Sequence, residues 1–251
     1  MTAEQQIDYL LRLGDNALIL GQRLGEWCGH GPVLEQDIAI TNIALDLVGQ
    51  ARTWLALAGE EEGKGRDEDA IAFLRDVGEF RNILLVEHAN EDFAYTIVRQ
   101  FLFDSFNYYL HEGLTRSSHA QIAAIANRSL KEVTYHLRYS SEWMIRLGDG
   151  TEVSHQKMQQ ALDDLWIYAE EPLIADAIDE AAHAAGWAPR LADLRPLVEA
   201  KRKAIIDEAT LQAPEVGYPQ QGGKKGLHTE ELGYILADMQ WLQRAYPGAE
   251  W

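Results

Sequence analysis

Two Glu-x-x-His pairs are the most metal-like feature of this sequence: Glu152 with His155, and Glu180 with His183. Residues three apart lie on one face of a helix, so both side chains of such a pair can reach one ion. Helical di-iron carboxylate proteins carry this motif on two helices and a single Glu on each of two others. The pairs therefore raise the question of whether this chain brings two histidines and four carboxylates together.

Neither pair lies where such a centre needs it. Glu152 and His155 fall at the point where a loop enters a predicted helix, so their helical spacing is not secured. Glu180 and His183 fall opposite an apolar helix face that includes Ile178. A polar face of this kind is typical of a solvent-exposed helix surface. We interpret the second pair as a solvated polar stripe and place no metal ligand at the first.

The predicted inner helices hold only part of a ligand set. The candidate ligands that we identify there are three acids and one imidazole: Glu26, Asp46, Asp92 and His136. Val133 stands three residues before His136, where a di-iron protein needs Glu, and Glu132 stands four residues before it. Because buried charges must be paired, we predict that Glu26, Asp46 and His136 form a buried, hydrogen-bonded cluster, the remnant of a lost site. We predict no bound metal, no catalytic residue and no cofactor in this chain.

No other catalytic motif emerges. The sequence contains no Gly-x-Ser-x-Gly, no P-loop and no Gly-x-Gly-x-x-Gly. Cys28 is the single cysteine, which excludes an intrachain disulfide and a cysteine-based zinc cluster and fits a reducing cytoplasm. It ends a predicted helix, where the helix dipole disfavours a thiolate, so we predict a small core residue.

The composition is that of a water-soluble globular protein. The 251 residues include 47% hydrophobic residues, and the formal net charge is −18. Such a surface repels nucleic acid and anionic lipid, and it would suit a basic protein partner, although solubility alone is the simpler explanation of the acidity. We find no run of 18 apolar residues and no basic-then-apolar N-terminus, so we predict neither a membrane span nor a signal peptide.

The sequence predicts helices throughout, because short alternating runs of β-branched residues and hairpin turns are scarce. These helices must position the candidate residues. We predict helices over residues 5–28, 34–58, 70–75, 91–112, 119–147, 154–185 (bent near Pro172), 190–211 and 229–245. The second is apolar nearly all round, which is typical of a central, buried helix. Residues 59–69 read as an exposed charged loop. Four helices of about 20 or more residues predict a single all-α domain over residues 1–251, an up-down bundle with additional C-terminal helices.

Several segments resemble the C subunit of the phenylacetyl-CoA epoxidase, a ferritin-like family, over essentially the whole chain. These segments are Leu11-Arg-Leu-Gly-Asp-Asn16, Gln22-Arg-Leu-Gly-Glu-Trp-Cys-Gly-His30, Leu45-Asp-Leu-Val-Gly-Gln-Ala-Arg52, Phe80-x-Asn-x-Leu-Leu-Val-Glu87, Tyr135-His-Leu-Arg138, Gln156-Lys-Met-Gln-Gln160 and Gly222-Gly-Lys-Lys-Gly-Leu-His-Thr-Glu230. The last is the most specific of them.

This resemblance implies a non-catalytic structural subunit with a ferritin-like four-helix bundle. It implies that the di-iron centre lies in a catalytic A subunit, which this chain stabilises, and that NADPH delivers electrons through a separate reductase subunit. The assembly would act in aerobic phenylacetate degradation. The alternative is that this chain is itself an active di-iron oxygenase subunit. A further hypothesis is that the isolated chain pairs with itself.

Four residues are candidates for contacts with the anionic tail of an acyl-CoA: Arg81, Asn82, Lys224 and Lys225. Lysines flanked by glycine beside a helix N-terminus are typical of phosphate sites. The alternative is that this loop only docks on the partner or on the chain's own helices.

Overall fold

The computed structural model describes residues 1–215 and 217–249, and it confirms the all-α prediction. These residues form nine α-helices and no strand. The helices are α1 (Ala3–Gly25), α2 (Leu34–Glu62), α3 (Glu68–Leu74), α4 (Phe93–Leu114), α5 (Ala120–Gly148), α6 (Glu152–Leu165), α7 (Ala177–Ala184), α8 (Leu191–Glu208) and α9 (Glu230–Ala245). None of the described helices is long and apolar enough to cross a membrane.

The chain forms two compact units. The first contains residues 1–89 and the segment that begins at Gln221, and the second contains residues 90–220. The single domain predicted over residues 1–251 stays a prediction, as does its ferritin-like arrangement, with which the helical content is consistent.

In the first unit, α1 and α2 pack along each other. Gly14 on α1 lies against Leu55 on α2, and Gly21 lies against Val48, so the two helices run antiparallel. Thr2 starts α1 with a capping box to Gln5, which satisfies backbone N–H groups that the first turn leaves open.

The predicted central position of α2 is wrong for one side of this helix. Leu47 and Trp54 are buried on one side, but Ile38 is 52% exposed and Leu45 is 64% exposed on another. An apolar pattern all round a helix shows that both sides suit burial, but it does not show which chain covers each side. Among the residues that the structure describes, the second side stays open to solvent.

The ends of α1 and α2 differ from the helix ends predicted from the sequence. The predicted loop over 59–69 begins later, because α2 continues to Glu62 and ends where Gly63 adopts φ 66°. Cys28 is exposed rather than part of the core, because α1 ends at Gly25 and the following turn carries the cysteine into solvent.

In the second unit, the single bent helix predicted over 154–185 is two helices. α6 ends at Leu165 and α7 begins after Asp176, whose carboxylate caps the Ile178 and Asp179 N–H groups. Two short 3₁₀ turns connect them, and Pro172 lies in the second. Because proline lacks an N–H donor, it favours the start of a turn over the interior of a long helix.

Candidate functional site

The polar interior of the second unit centres on Asp104, a residue that the sequence analysis did not single out. Asp104 lies in α4 within the phenylalanine-rich stretch from Phe101 to Phe106 and is 1% exposed. Its two carboxylate oxygens accept hydrogen bonds from Gln100 Nε2 (2.7 Å), one turn earlier, and from Ser140 Oγ (2.8 Å) on α5. The sequence signal for a buried carboxyl group was an acid among phenylalanines. A pattern based on Glu and Glu-x-x-His does not include an aspartate at such a position.

Two buried histidines accompany this carboxyl group. His136 on α5 lies near enough to lower the pKa of Asp104, but burial dominates and raises that pKa to about 6. His111 donates from Nδ1 to the Asn107 carbonyl oxygen (2.9 Å), and burial lowers its pKa to about 4. Sequence reasoning identifies His136 as a candidate and misses His111.

This donor set does not fit a di-iron centre. It offers one carboxylate and two imidazoles, whereas such a centre takes four carboxylates and two imidazoles. An amide and a hydroxyl group, from Gln100 and Ser140, occupy the oxygens of the one carboxylate. Within residues 1–215 and 217–249, no three His, Cys, Asp or Glu side chains are grouped so that they could hold a metal ion.

The other predicted acids have local roles. The buried cluster predicted for Glu26, Asp46 and His136 is wrong for Glu26, whose side chain is 47% exposed and accepts from Arg23 Nη1 at 3.0 Å. The reason is that α1 ends one residue before it. Asp46 is half-buried on α2.

Asp92 caps α4 by accepting from the Tyr95 N–H (2.9 Å), and it pairs with Lys157 (2.8 Å). Burial alone would raise the pKa of Asp92, but the hydrogen bonds from Lys157 and from the Tyr95 backbone together lower it.

The two Glu-x-x-His pairs are bonded locally. Glu152 accepts from Gln156 (2.6 Å), and His155 donates from Nδ1 to the Gly148 carbonyl oxygen (2.7 Å). Glu180 and His183 are exposed on α7, which confirms the polar stripe predicted there.

In the first unit, two of the segments that carry the resemblance meet at a buried carboxylate, Glu87. Its Oε1 lies 2.6 Å from His228 Nδ1 and accepts from Asn82 Nδ2 at 2.8 Å. Its Oε2 accepts from the N–H and the hydroxyl group of Thr229, at 2.8 and 2.7 Å. His228 Nε2 lies 3.0 Å from the Phe80 carbonyl oxygen, so that nitrogen carries a proton. The bonds made by His228 and Thr229 thus join segments that lie far apart in the sequence.

The glycine-rich segment fits closely against the 78–82 segment. Gly226 has φ 77°, and a Cβ at this position would overlap the Gly78 carbonyl oxygen. A Cβ at position 223 would overlap the Asn82 carbonyl oxygen. Only glycine allows two backbones to approach this closely.

The chain around residues 75–83 also forms hydrogen bonds and an ion pair with α1. Asp15 forms a fully buried ion pair with Arg75, whose guanidinium group also lies 4.2 Å from the Phe80 ring centre. Asp15 Oδ2 accepts from the Arg81 N–H at 2.8 Å, and Asn16 Oδ1 accepts from the Ile83 N–H at 2.8 Å.

The fold brings the four candidate acyl-CoA residues into one region of the first unit, but they differ in accessibility. Asn82 has no exposed surface and donates to Glu87, so the predicted contact between its side chain and a ligand is inconsistent with this structure. Arg81 directs Nε to Asp8 (2.9 Å) and Nη1 to the Gly78 and Phe80 carbonyl oxygens. Lys225 is exposed and Lys224 is half-buried.

Comparison with known proteins identifies the family. The family model described as "Phenylacetic acid catabolic protein" matches residues 1–251. The C subunit of 1,2-phenylacetyl-CoA epoxidase from Escherichia coli (strain K12) is 53% identical over 243 residues, which cover 97% of this chain and 98% of that protein.

Proposed function

Because the chain belongs to the phenylacetic acid catabolic protein family, we propose that it is the non-catalytic structural subunit of a multicomponent phenylacetyl-CoA epoxidase. In this proposal it stabilises a catalytic A-type subunit that holds the di-iron centre. Electrons reach that subunit from NADPH through a reductase subunit, and the complex acts in aerobic phenylacetate degradation.

The observation that carries this proposal is the environment of Asp104. A carboxylate that binds iron must be ionised and must direct its oxygens to the metal. Here Gln100 and Ser140 occupy both oxygens, and burial raises the pKa so that the protonated form is favoured more than usual. The interior of α4 and α5 is therefore suited to holding two helices together and not to redox chemistry.

A structural subunit acts through mass action. A chain that binds only the folded form of a partner raises the partner's apparent stability in proportion to the logarithm of its own concentration over Kd. Obligate complexes of this kind bury more than about 2,000 Å².

Metal content and activity test the proposal together. The chain is purified alone and in complex with the catalytic subunit, and iron is measured in both. We expect iron only in the complex, and we expect Asp104→Asn and His136→Gln complexes to keep both their iron and their epoxidase activity. Two irons per isolated chain would instead establish the alternative, an active di-iron oxygenase subunit.

We also propose that Lys224 and Lys225 contact the acyl-CoA tail, since Lys225 is exposed and Lys224 half-buried, whereas Asn82 is buried and the guanidinium group of Arg81 is bonded to Asp8 and to two carbonyl oxygens. Replacing both with alanine is expected to raise KM for phenylacetyl-CoA several-fold and to leave kcat unchanged, because these groups would bind substrate and transition state equally. Lys201→Ala with Lys203→Ala is the matched control on α8. An unchanged KM would show that the loop only docks on protein.

A further inference from the structure

One face of α2 is apolar and open to solvent. We call it the α2 seam: its exposed apolar residues are Leu34, Ile38, Leu45 and Val48, and the half-buried Thr41 and the basic Arg52 continue the same spacing. Val48, at the edge of the seam, also contacts Gly21 on α1. Leu34 is 71% exposed, Leu45 is 64% exposed and Ile38 is 52% exposed. A solvent-facing helix surface ordinarily carries polar residues instead.

The spacing of the seam indicates what covers it. Its residues follow one another at intervals of four, three, four, three and four. This alternation is the heptad pattern by which one helix packs its side chains between those of a second helix, at a crossing angle of about 20°. The opposite side of α2, with Leu47 and Trp54, is already buried. The seam is thus a second packing surface suited to a further helix.

A glycine beside the seam supports this interpretation. Gly49 lies in the interior of α2, where glycine disfavours the helix relative to alanine. It is exposed, and a Cβ at this position would meet no described atom within 4 Å. The described part of this chain therefore does not require glycine there, whereas a second helix at close distance would.

The charges along the seam distinguish between partners. The charged residues that flank it over its first four turns are Glu35, Asp37 and Asp46, which are all acidic. Arg52, at the far end, is the single basic residue of α2. Two copies of the chain would bring acidic flanks together, in addition to a net charge of −18 on each. A helix with basic flanks would find opposite charges on both sides.

We propose that the α2 seam is the docking surface for one helix of a partner subunit, which has apolar residues at the same spacing and Lys or Arg beside them. The inference rests on the proposed function, because it requires this chain to work as part of a complex.

Surface variants of α2 test the proposal in the assembled complex. The tagged chain is co-expressed with the catalytic subunit and the fraction that co-purifies is measured. Ile38→Glu with Leu45→Glu should weaken co-purification by at least about tenfold, since it places charges in the centre of a dry contact. Gly49→Leu should weaken it similarly while leaving the urea midpoint of the isolated chain the same or higher. Val153→Glu, at a residue that is 64% exposed on α6, is the matched control.

Charge variants separate a basic partner from a second copy. Glu35→Lys with Asn42→Lys changes two exposed flanking residues and leaves the apolar seam intact. It should weaken co-purification, most strongly at low salt. If it instead strengthens self-association of the isolated chain, and the seam variants abolish only that self-association, the occupant is a second copy and the proposal is wrong.

A photo-crosslinking residue gives an independent readout of the helical partner. Introduced at position 38 and, separately, at position 45, it should label one partner helix at two sites about seven residues apart. If the wild-type chain co-purifies and the seam variants bind normally, the proposal for the seam is wrong and the proposed function stands. Failure of the wild-type chain to co-purify would overturn the proposed function and the seam with it.

Discussion

Replacing Asp104 by asparagine is expected to raise the free energy of unfolding at pH 7.5 and to change it little at pH 4. Burial raises the pKa of this carboxyl group from its ordinary 3.8 to about 6. Between about pH 4 and pH 6, the folded state therefore holds a proton that the unfolded state has lost. Stability falls as the pH rises through that window, which is the reverse of the usual paired acid.

The magnitude follows from the shift. A rise of about two pKa units corresponds to about 3 kcal/mol of destabilisation once the pH exceeds both values, and to less than about 1 kcal/mol near pH 4. Asparagine has no charge to desolvate. It can accept from Gln100 with its oxygen and donate to Ser140 Oγ with its amide, so the local contacts persist.

Urea unfolding at the two pH values, followed by circular dichroism, is the assay. The stability difference between Asp104→Asn and the wild-type chain should be about 2 kcal/mol larger at pH 7.5 than at pH 4. His111 opposes this trend in both proteins, because its lowered pKa of about 4 makes stability fall as the pH drops below 6.5. Its contribution cancels in the difference. Asp163→Asn, on exposed α6 surface, is the control. If the stability difference between variant and wild type is the same at both pH values, the conclusion that burial raises the pKa of Asp104 is refuted.

Two predictions concern the first unit. Glu87→Leu should lower the free energy of unfolding by about 3–5 kcal/mol, because it leaves four polar groups around this buried position without the carboxylate that they bind; exposed Glu26→Leu is the control, and a loss below about 1 kcal/mol would contradict the network. Gly226→Ala should cost about 3 kcal/mol, because φ is positive and the new Cβ meets the Gly78 carbonyl oxygen. Gly233→Ala in α9, where a Cβ has open space, should instead stabilise by about 0.5–1 kcal/mol, and equal effects of the two changes in urea midpoint would refute the close approach.

Helix positions were predictable because they depend on local patterns. The start of α2 at Leu34 and its periodicity are visible in the sequence, whereas its end, predicted at residue 58, lies at Glu62, just before Gly63. The exposure of Ile38 and Leu45 was not predictable, because periodicity records which faces avoid water and not which chain shields them. The same local signals failed over 166–176, where the order of 3₁₀ turns depends on tertiary packing.

The polar interior was less accessible to sequence reasoning. A search built on Glu-x-x-His found His136 but not Asp104, whose partners Gln100 and Ser140 have no metal-like spacing. The pairing of Glu87 with His228 joins segments 141 positions apart, and a single sequence does not reveal such a pair. Both segments are recognisable as characteristic in the sequence, but their common role, to fix the chain around one buried carboxylate, is visible only in three dimensions.

The acidity of the chain and the open α2 seam fit one explanation. An exposed apolar helix face ordinarily promotes association between copies. A net charge of −18 opposes that association over distances of about a Debye length, whereas it attracts a basic partner over the same distances. Apolar seam residues then hold the complex together at short range, and the acidic flanks select the partner that reaches them. In this arrangement the −18 charge has a role beyond solubility, because it disfavours the unproductive pairing of two copies that the exposed seam would otherwise allow.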